Sequence, residues 1–236
     1  IFNGSIIIDN FSIFMKSLIL ASSFFILSIS SISCENTDIH IIKKDIVFDD
    51  LRTSLTKQYI KERYNFEAES ITIDPRIIVV HWTATKTSEQ AFNTFKSPSL
   101  QGSRNDISYA SNLNVSAHFL VDRNGQVFQL MKDNIMARHV IGLNYSSIGI
   151  ENVGGIEGYP LTNEQLISNV KLVKYLKSKY PKIDYLIGHF EYTNFENHEL
   201  WLEKDSLYRT IKIDPGIEFM NKMRKDLNHL NFKELP

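Results

Sequence analysis

The sequence predicts an α/β fold, a single domain in which a central mixed β-sheet is flanked by helices. Apolar runs typical of strands buried on both faces alternate along the chain with amphipathic helical patterns, and two of the runs are separated by a hairpin turn. The 236 residues are 43% hydrophobic and 22% charged, which fits one globular domain with a sizeable core plus terminal segments. We assign this domain to residues 65–236.

Residues 1–34 are predicted to be upstream residues plus an export signal. Met15 is the first plausible start, and residues 17–33 are uncharged and rich in Leu, Ile, Phe and Ser. They are followed by Cys34, the only cysteine, so no intrachain disulfide is possible. This arrangement resembles a bacterial lipoprotein signal, although residues 31–34 (SISC) depart from the usual motif before the lipidated cysteine. The resemblance predicts an exported, membrane-anchored protein of the cell envelope, lipidated at Cys34. The alternatives are an ordinary signal with an incidental cysteine, or an uncleaved anchor.

Residues 35–64 are predicted to be a tether followed by one amphipathic helix. The tether, residues 35–48, is polar with scattered aliphatics. In residues 48–64, Leu51, Leu55 and Tyr59 recur near helical spacing among charges, which predicts a helix that packs one face against the domain.

The strands of the domain are predicted from five apolar runs. Residues 76–80 and 183–187 have no polar alternation, as in strands buried on both faces. Residues 117–121 and 126–130 flank an Asn-Gly turn and predict a hairpin. Residues 147–153 form a further strand.

Three helices are predicted within the domain. Ser88 can cap a short helix, and Thr162 with Gln165 makes a capping box before a long helix that ends near Pro181. A last helix follows Asp214-Pro215, and Asp214 taken alone is an ordinary helix cap.

Chemically capable side chains occur where strands end. His81 and His189 directly follow buried runs, which can bring both imidazoles to one rim of the sheet, although a lone His beside apolar residues is more often structural. Glu151 lies beside Gly149 in an apolar strand, and we expect the glycine to leave space for a substrate next to a partly desolvated carboxylate suited to proton transfer. The alternative is an edge-strand Glu paired with a Lys or Arg.

Five short motifs in order resemble the zinc-dependent N-acetylmuramoyl-L-alanine amidases, the type 2 amidases related to phage lysozyme-like amidases and peptidoglycan recognition proteins. The resemblance covers roughly residues 66–226. Its motifs are residues 81–85 (HWTAT), 115–119 (VSAHF), 147–151 (SIGIE), 188–189 (GH) and 212–216 (KIDPG).

The resemblance implies a Zn²⁺ site with His81, His189 and Asp214 as ligands, Glu151 as general base and Lys212 as the residue that stabilises the oxyanion. Two histidines and one carboxylate leave a fourth tetrahedral position open, as catalytic zinc sites do. The implied substrate is peptidoglycan or its muropeptides, and the implied reaction is hydrolysis of the amide between N-acetylmuramic acid and L-alanine.

The chain departs from the family pattern at several positions. Ala117 stands where some relatives have Tyr, and Arg138-His139 stands where bacterial relatives often have Trp-His; His139 could line the groove or be an ordinary loop residue, and His118 is expected to be structural. Residues 190–211 are longer than in compact members and contain three aromatic residues that could wall the stem peptide, namely Tyr192, Trp201 and Tyr208.

Other function classes are less consistent with the sequence. A net charge of -1 and the lack of a long basic run argue against nucleic acid as a partner. Two alternatives remain. A non-catalytic peptidoglycan-binding lipoprotein is disfavoured by the intact set of His81, His189 and Asp214, and an anchored interaction protein on the same scaffold predicts no stoichiometric zinc, so bound-metal analysis discriminates it from the enzyme. We expect a monomer.

Overall fold

A computed structural model describes residues 38–100 and 108–236, which belong to one compact unit, residues 38–236. The predicted signal segment and Cys34 lie outside the described residues. The strands and helices in chain order are β1 (Ile41–Lys43), α1 (Asp50–Tyr64), β2 (Ile77–Trp82), α2 (Ser88–Lys96), β3 (Phe119–Val121), β4 (Val127–Gln129), β5 (Ser147–Asn152), α3 (Asn163–Lys179), β6 (Tyr185–Gly188) and α4 (Ile217–Asp226).

The six strands form one mixed sheet in the order β1-β4-β3-β5-β2-β6. Only β3 and β4 pair antiparallel within it; the other neighbours pair parallel. The predicted α/β fold with a central mixed sheet is therefore confirmed. The predicted hairpin is also confirmed, and of its Asn-Gly pair it is Gly125 that has a positive φ, of 83°.

The register of the central strands assigns their side chains to two faces. Residues Ile77, Val79 and His81 of β2 are paired with Ser147, Gly149 and Glu151 of β5 and share one face with them. The opposite face carries four aliphatic side chains that pack against α3 and α4 in the main core, namely Ile78, Val80, Ile148 and Ile150. One face of the sheet is thus sealed by helices, and the other carries the polar residues.

The helix caps agree with the sequence in one case and differ in two. Thr162 caps α3 in a complete capping box with Gln165, as predicted. Helix α2 is capped by Thr87 rather than by Ser88, since the Thr87 side chain accepts a hydrogen bond from the Gln90 backbone N–H. Helix α4 has Gly216 at its N-cap, so Asp214 is not the cap. The carboxylate of Asp214 is therefore available for another role.

The structure differs from the predicted tether at residues 41–43. These residues form β1 at the edge of the sheet, parallel to β4, and backbone hydrogen bonds continue this pairing through Lys44 and Ile46. A strand of three residues has no sequence periodicity to reveal it, and its partner lies far along the chain. The segment is therefore part of the folded unit.

Helix α1 packs through Leu55 and Tyr59 as predicted, and only its first turn differs from the prediction. Leu51 is 51% exposed, whereas Arg52 is buried. The Arg52 guanidinium donates to the backbone carbonyls of Val47, Phe95 and Ser97 and so ties α1 to the end of α2. Burial lowers the pKa of Arg52 to about 10, yet the group remains cationic at neutral pH. A buried arginine paired with carbonyls cannot be recognised from helical spacing.

Candidate metal centre

Three side chains from distant parts of the chain meet at one end of the sheet. His81 lies near the end of β2, and His189 directly follows β6, the neighbouring parallel strand. Asp214 lies just before α4, and the backbone carbonyl of Asp214 accepts a hydrogen bond from the N–H of Phe190. All three side chains are buried. The expected meeting of both imidazoles at one rim is therefore observed.

The ligand-capable atoms of these residues converge on one point. His81 Nδ1 lies 3.0 Å from His189 Nδ1, His189 Nδ1 lies 3.0 Å from Asp214 Oδ2, and Asp214 Oδ2 lies 3.3 Å from His81 Nδ1. Atoms bound tetrahedrally to zinc at about 2.0–2.2 Å lie about 3.3–3.6 Å from one another. The observed triangle is a few tenths of an ångström tighter, so the donor set fits a zinc ion, and these residues could together hold one.

The electrostatics of the cluster favour the ligand forms of these residues. Burial, with the neighbouring His81, lowers the pKa of His189 to about 4, so the imidazole is neutral at pH 7. Burial disfavours the charged form of Asp214, but the adjacent imidazoles of His189 and His81 outweigh this effect and hold the pKa of the carboxyl well below its usual range. Neutral imidazoles and an ionised carboxylate are the forms that bind a metal ion.

A cleft of about 340 Å³ opens above this triangle. Glu151 and Lys212 both line it, together with the three ligand-capable residues. Glu151 is 8% exposed and faces His81 across the β2–β5 pair. Because β5 is a central strand, flanked by β2 and β3, the alternative of an edge-strand Glu is wrong. The cleft thus brings a desolvated carboxylate and an ammonium group beside the donor set.

The space beside Gly149 is filled by the protein itself, contrary to the expectation that a substrate would occupy it. A Cβ at Gly149 would lie 2.8 Å from both Cγ and Nδ1 of His139. His139 in turn contacts His81, with 3.0 Å between its Nδ1 and His81 Nε2. The glycine therefore admits an imidazole that contacts His81 and also lines the cleft. Burial and the nearby histidines hold the pKa of His139 well below its usual value.

His118 has a structural role, as the sequence suggested. Its Nδ1 accepts a hydrogen bond from the Gly149 N–H at 2.9 Å, and its Nε2 lies 2.8 Å from the Ile135 carbonyl oxygen. Both ring nitrogens are used in joining β5 to the loop after β4. Burial lowers the pKa of His118 to about 4, so the ring is neutral.

Arg138 is buried at the cleft and, like His118, has a structural role. Its guanidinium donates to the backbone carbonyls of Ser111 and Leu113 and to the hydroxyl of Tyr208. It therefore anchors the loop before β3 to the 190–211 segment.

The aromatic residues of the 190–211 segment are mostly core residues rather than a wall over a bound peptide. Tyr192 is buried, and Trp201 stacks on it with ring centroids 6.1 Å apart. Gly142 lies directly against Trp201, where a Cβ would come within 2.6 Å of the indole. Of the three, Tyr208 lines the cleft. The size and spacing of aromatic residues in the sequence do not show whether their rings pack in the core or line a cleft.

Comparisons with known proteins agree with the geometry. A family model described as N-acetylmuramoyl-L-alanine amidase matches residues 72–217. The 1,6-anhydro-N-acetylmuramyl-L-alanine amidase AmpD of Haemophilus influenzae is 36% identical over 87 residues, covering 33% of this chain and 47% of that protein. The chain thus spans about half the length of this curated relative.

Two solved structures of similar proteins were compared with the fold. The N-acetylmuramoyl-L-alanine amidase LysC from Clostridium intestinale is 18% identical, with a TM-score of 0.51 over 81% of this chain and 99% of that one. Bumblebee PGRP-SA is 20% identical, with a TM-score of 0.48 over 84% of this chain and 100% of that one. At such identity, the likeness to LysC shows a shared fold. The family match, which spans more than half of the sequence and contains His81, His189 and Asp214, decides the classification: the chain belongs to the N-acetylmuramoyl-L-alanine amidase family.

Proposed function

We propose that the protein is a zinc-dependent amidase that hydrolyses the bond between N-acetylmuramic acid and L-alanine in peptidoglycan. The observation that carries the proposal is the convergence of His81, His189 and Asp214 at the floor of a cleft that also contains Glu151 and Lys212. Two imidazoles and one carboxylate are a donor set used by catalytic rather than structural zinc sites, because one position stays open.

In this proposal, His81, His189 and Asp214 hold the ion. Zinc bound by such a set supplies Lewis acidity, which lowers the pKa of a water molecule to about 7 and polarises an amide carbonyl. The protein contributes a buried, preformed arrangement of the three side chains, with His81 on β2 and His189 directly after the adjacent parallel strand β6. Rigid strands suit a site that has to keep its geometry during turnover.

Glu151 and Lys212 handle the proton and the developing charge. Glu151 accepts a proton from the attacking water as the water oxygen bonds to the lactyl carbonyl carbon. The Lys212 ammonium stabilises the negative charge that develops on the carbonyl oxygen. Glu151 then passes its proton to the alanine nitrogen as the carbon–nitrogen bond breaks, leaving a carboxylic acid on the muramic acid and a free amine on L-alanine.

Product analysis tests the proposal directly. We expect the purified protein to convert muropeptides into free disaccharide and free stem peptide with an amino-terminal L-alanine, measured by mass spectrometry. A chelator should stop the reaction, and added zinc should restore it. Intact wall and the anhydro-sugar form named for the Haemophilus relative serve as parallel substrates. Zinc-loaded protein that binds muropeptides without cleaving them would instead indicate a binding module.

We further propose that the protein is exported and anchored through Cys34. The support is the sequence, in which an uncharged run over residues 17–33 ends at the sole cysteine. In residues 38–100 and 108–236, no helix combines the length and apolar character needed to cross a membrane. One acyl chain gives only marginal membrane binding, so stable attachment requires the several chains of lipoprotein processing.

Acyl labelling tests this anchor. In a bacterial host, the wild-type protein should take up labelled fatty acid and fractionate with membranes, and Cys34→Ser should take up no label because the acceptor thiol is gone. A wild-type protein without label would favour an ordinary export signal, and the amidase proposal would be unaffected.

A further inference from the structure

His139 lies in a chain of contacts that leads from the sheet to a proposed metal ligand. Its ring fills the space over Gly149, with Nδ1 3.0 Å from His81 Nε2 and Nε2 3.2 Å from Ser147 Oγ. Its backbone is also fixed, since the His139 N–H donates to Asn144 Oδ1 at 2.9 Å. The ring therefore has both nitrogens engaged and little freedom to move.

The carbonyl of Leu143 sets the direction of the protons in this chain. A carbonyl can only accept, and the Ser147 hydroxyl donates to it at 2.8 Å, the shorter of the two Ser147 contacts. With its single proton used there, Ser147 Oγ accepts from His139 Nε2–H. His139 Nδ1 is then a lone pair, so the 3.0 Å contact requires His81 Nε2–H as the donor.

The consequence reaches the other nitrogen of His81. A neutral imidazole protonated on Nε2 carries a lone pair on Nδ1, and Nδ1 is the His81 atom that points at His189 and Asp214. The opposite proton order would put a hydrogen on Nδ1, where it would block a metal ion. Metal-binding histidines commonly have their tautomer fixed by a hydrogen bond to the far nitrogen.

We propose that Ser147 and His139 are positioning residues that fix His81 in its Nε2–H tautomer and so keep Nδ1 ready to bind metal. The inference rests on the proposed zinc site, and it adds a positioning role for a neutral imidazole where a carboxylate or a backbone carbonyl commonly serves. It also explains Gly149, since any side chain there would displace His139. Loss of such a partner typically costs about 10- to 100-fold in metal affinity.

Zinc affinity, measured by competition with a chromophoric chelator, provides the first test. His139→Phe keeps a ring over Gly149 but removes the acceptor, and we expect zinc affinity to fall about 10- to 100-fold. His139→Asn places an amide oxygen near the position of Nδ1 and should recover part of this loss. His198→Phe is the matched control, because His198 is also half-buried among aromatic rings but lies outside the cluster. Its affinity should equal that of the wild type.

The tautomer itself is measured on metal-free protein by ¹⁵N NMR of the histidine rings. We expect His81 to be protonated on Nε2 in the wild type and to become a mixture of tautomers in His139→Phe. Ser147→Ala leaves the His139 ring in place. It should also lower zinc affinity and mix the His81 tautomers, but less than His139→Phe does. It provides the test if His139→Phe fails to fold.

The outcomes separate this inference from the proposed function. If the wild-type protein binds no zinc, the proposed metal site is wrong. The His81 tautomer would still show whether Ser147 and His139 position the ring. Wild-type protein that binds zinc, together with unchanged affinity and unchanged tautomer in His139→Phe or in a folded Ser147→Ala, would overturn the positioning role alone.

Discussion

His189→Ala is expected to lose stoichiometric zinc and all measurable amidase turnover. His189 Nδ1 makes the two shortest contacts of the triangle, at 3.0 Å from His81 Nδ1 and 3.0 Å from Asp214 Oδ2. Two remaining ligands cannot hold the ion tightly, and the buried Asp214 carboxylate loses one of the two imidazoles that keep it ionised. Metal content by elemental analysis and turnover on muropeptides provide the two measurements.

His198→Ala is the matched control for this variant. It removes the same ring from the same segment, where His198 contacts Tyr185 and Phe195 rather than the metal centre. The control should retain one zinc per chain and wild-type turnover. Full zinc content and full activity in His189→Ala would show that the metal assignment is wrong.

Glu151→Gln is expected to retain zinc and lose turnover by about 10²- to 10⁴-fold, the range attributed to a positioned general acid–base. The amide has the shape of the carboxylate, so packing against β2 is preserved, but it cannot take a proton from water. Zinc content and turnover should therefore separate in this variant, in contrast to His189→Ala, where both are lost.

Glu196→Gln controls for the change of charge, because Glu196 forms an ion pair with Arg209 on the surface. It should behave as the wild type. If Glu151→Gln lost its zinc, Glu151 would be a ligand, and the choice of Asp214 as the third ligand would have to be abandoned.

The sequence predicts those parts of the fold in which the local pattern and the tertiary environment agree. Strands β2 and β6 are buried on both faces and appear as uninterrupted apolar runs. Helix α3 carries its own capping box, and the hairpin carries its own turn glycine. In each case, neighbouring residues contain the information that the structure uses.

The predictions from sequence fail where a segment or side chain contacts a partner that is remote in the sequence. Strand β1 exists because its backbone finds β4, and Arg52 is buried because carbonyls from residues 47 and 95–97 surround it. Neither partner can be inferred from the residues next to it. Both features are tertiary effects that override local composition.

Some residues of the candidate site can also be predicted from local sequence patterns, and others cannot. Strand patterns alone place His81 and His189 at one rim, and they also suggest Glu151 for proton transfer. The roles of Asp214 and Lys212 come only from the family resemblance. The substrate space expected beside Gly149 is absent because the ring of His139, which comes from a loop, fills it. A glycine in a strand indicates a close approach without showing which residue makes it.

The pairing of β2 with β5 also bears on how the chain avoids misfolding. The aliphatic residues Ile148 and Ile150 face the helices, and Gly149 and Glu151 lie on the other face, where Glu151 lines the cleft. Sliding β5 by one position would exchange these two sets and drive a carboxylate into the aliphatic layer beneath α3, at a cost of several kcal/mol for an unpaired buried charge. An all-aliphatic β5 would carry no such penalty and could settle in either alignment. In the proposed enzyme, selection for catalysis and selection against a misaligned sheet therefore act on the same side chain, that of Glu151.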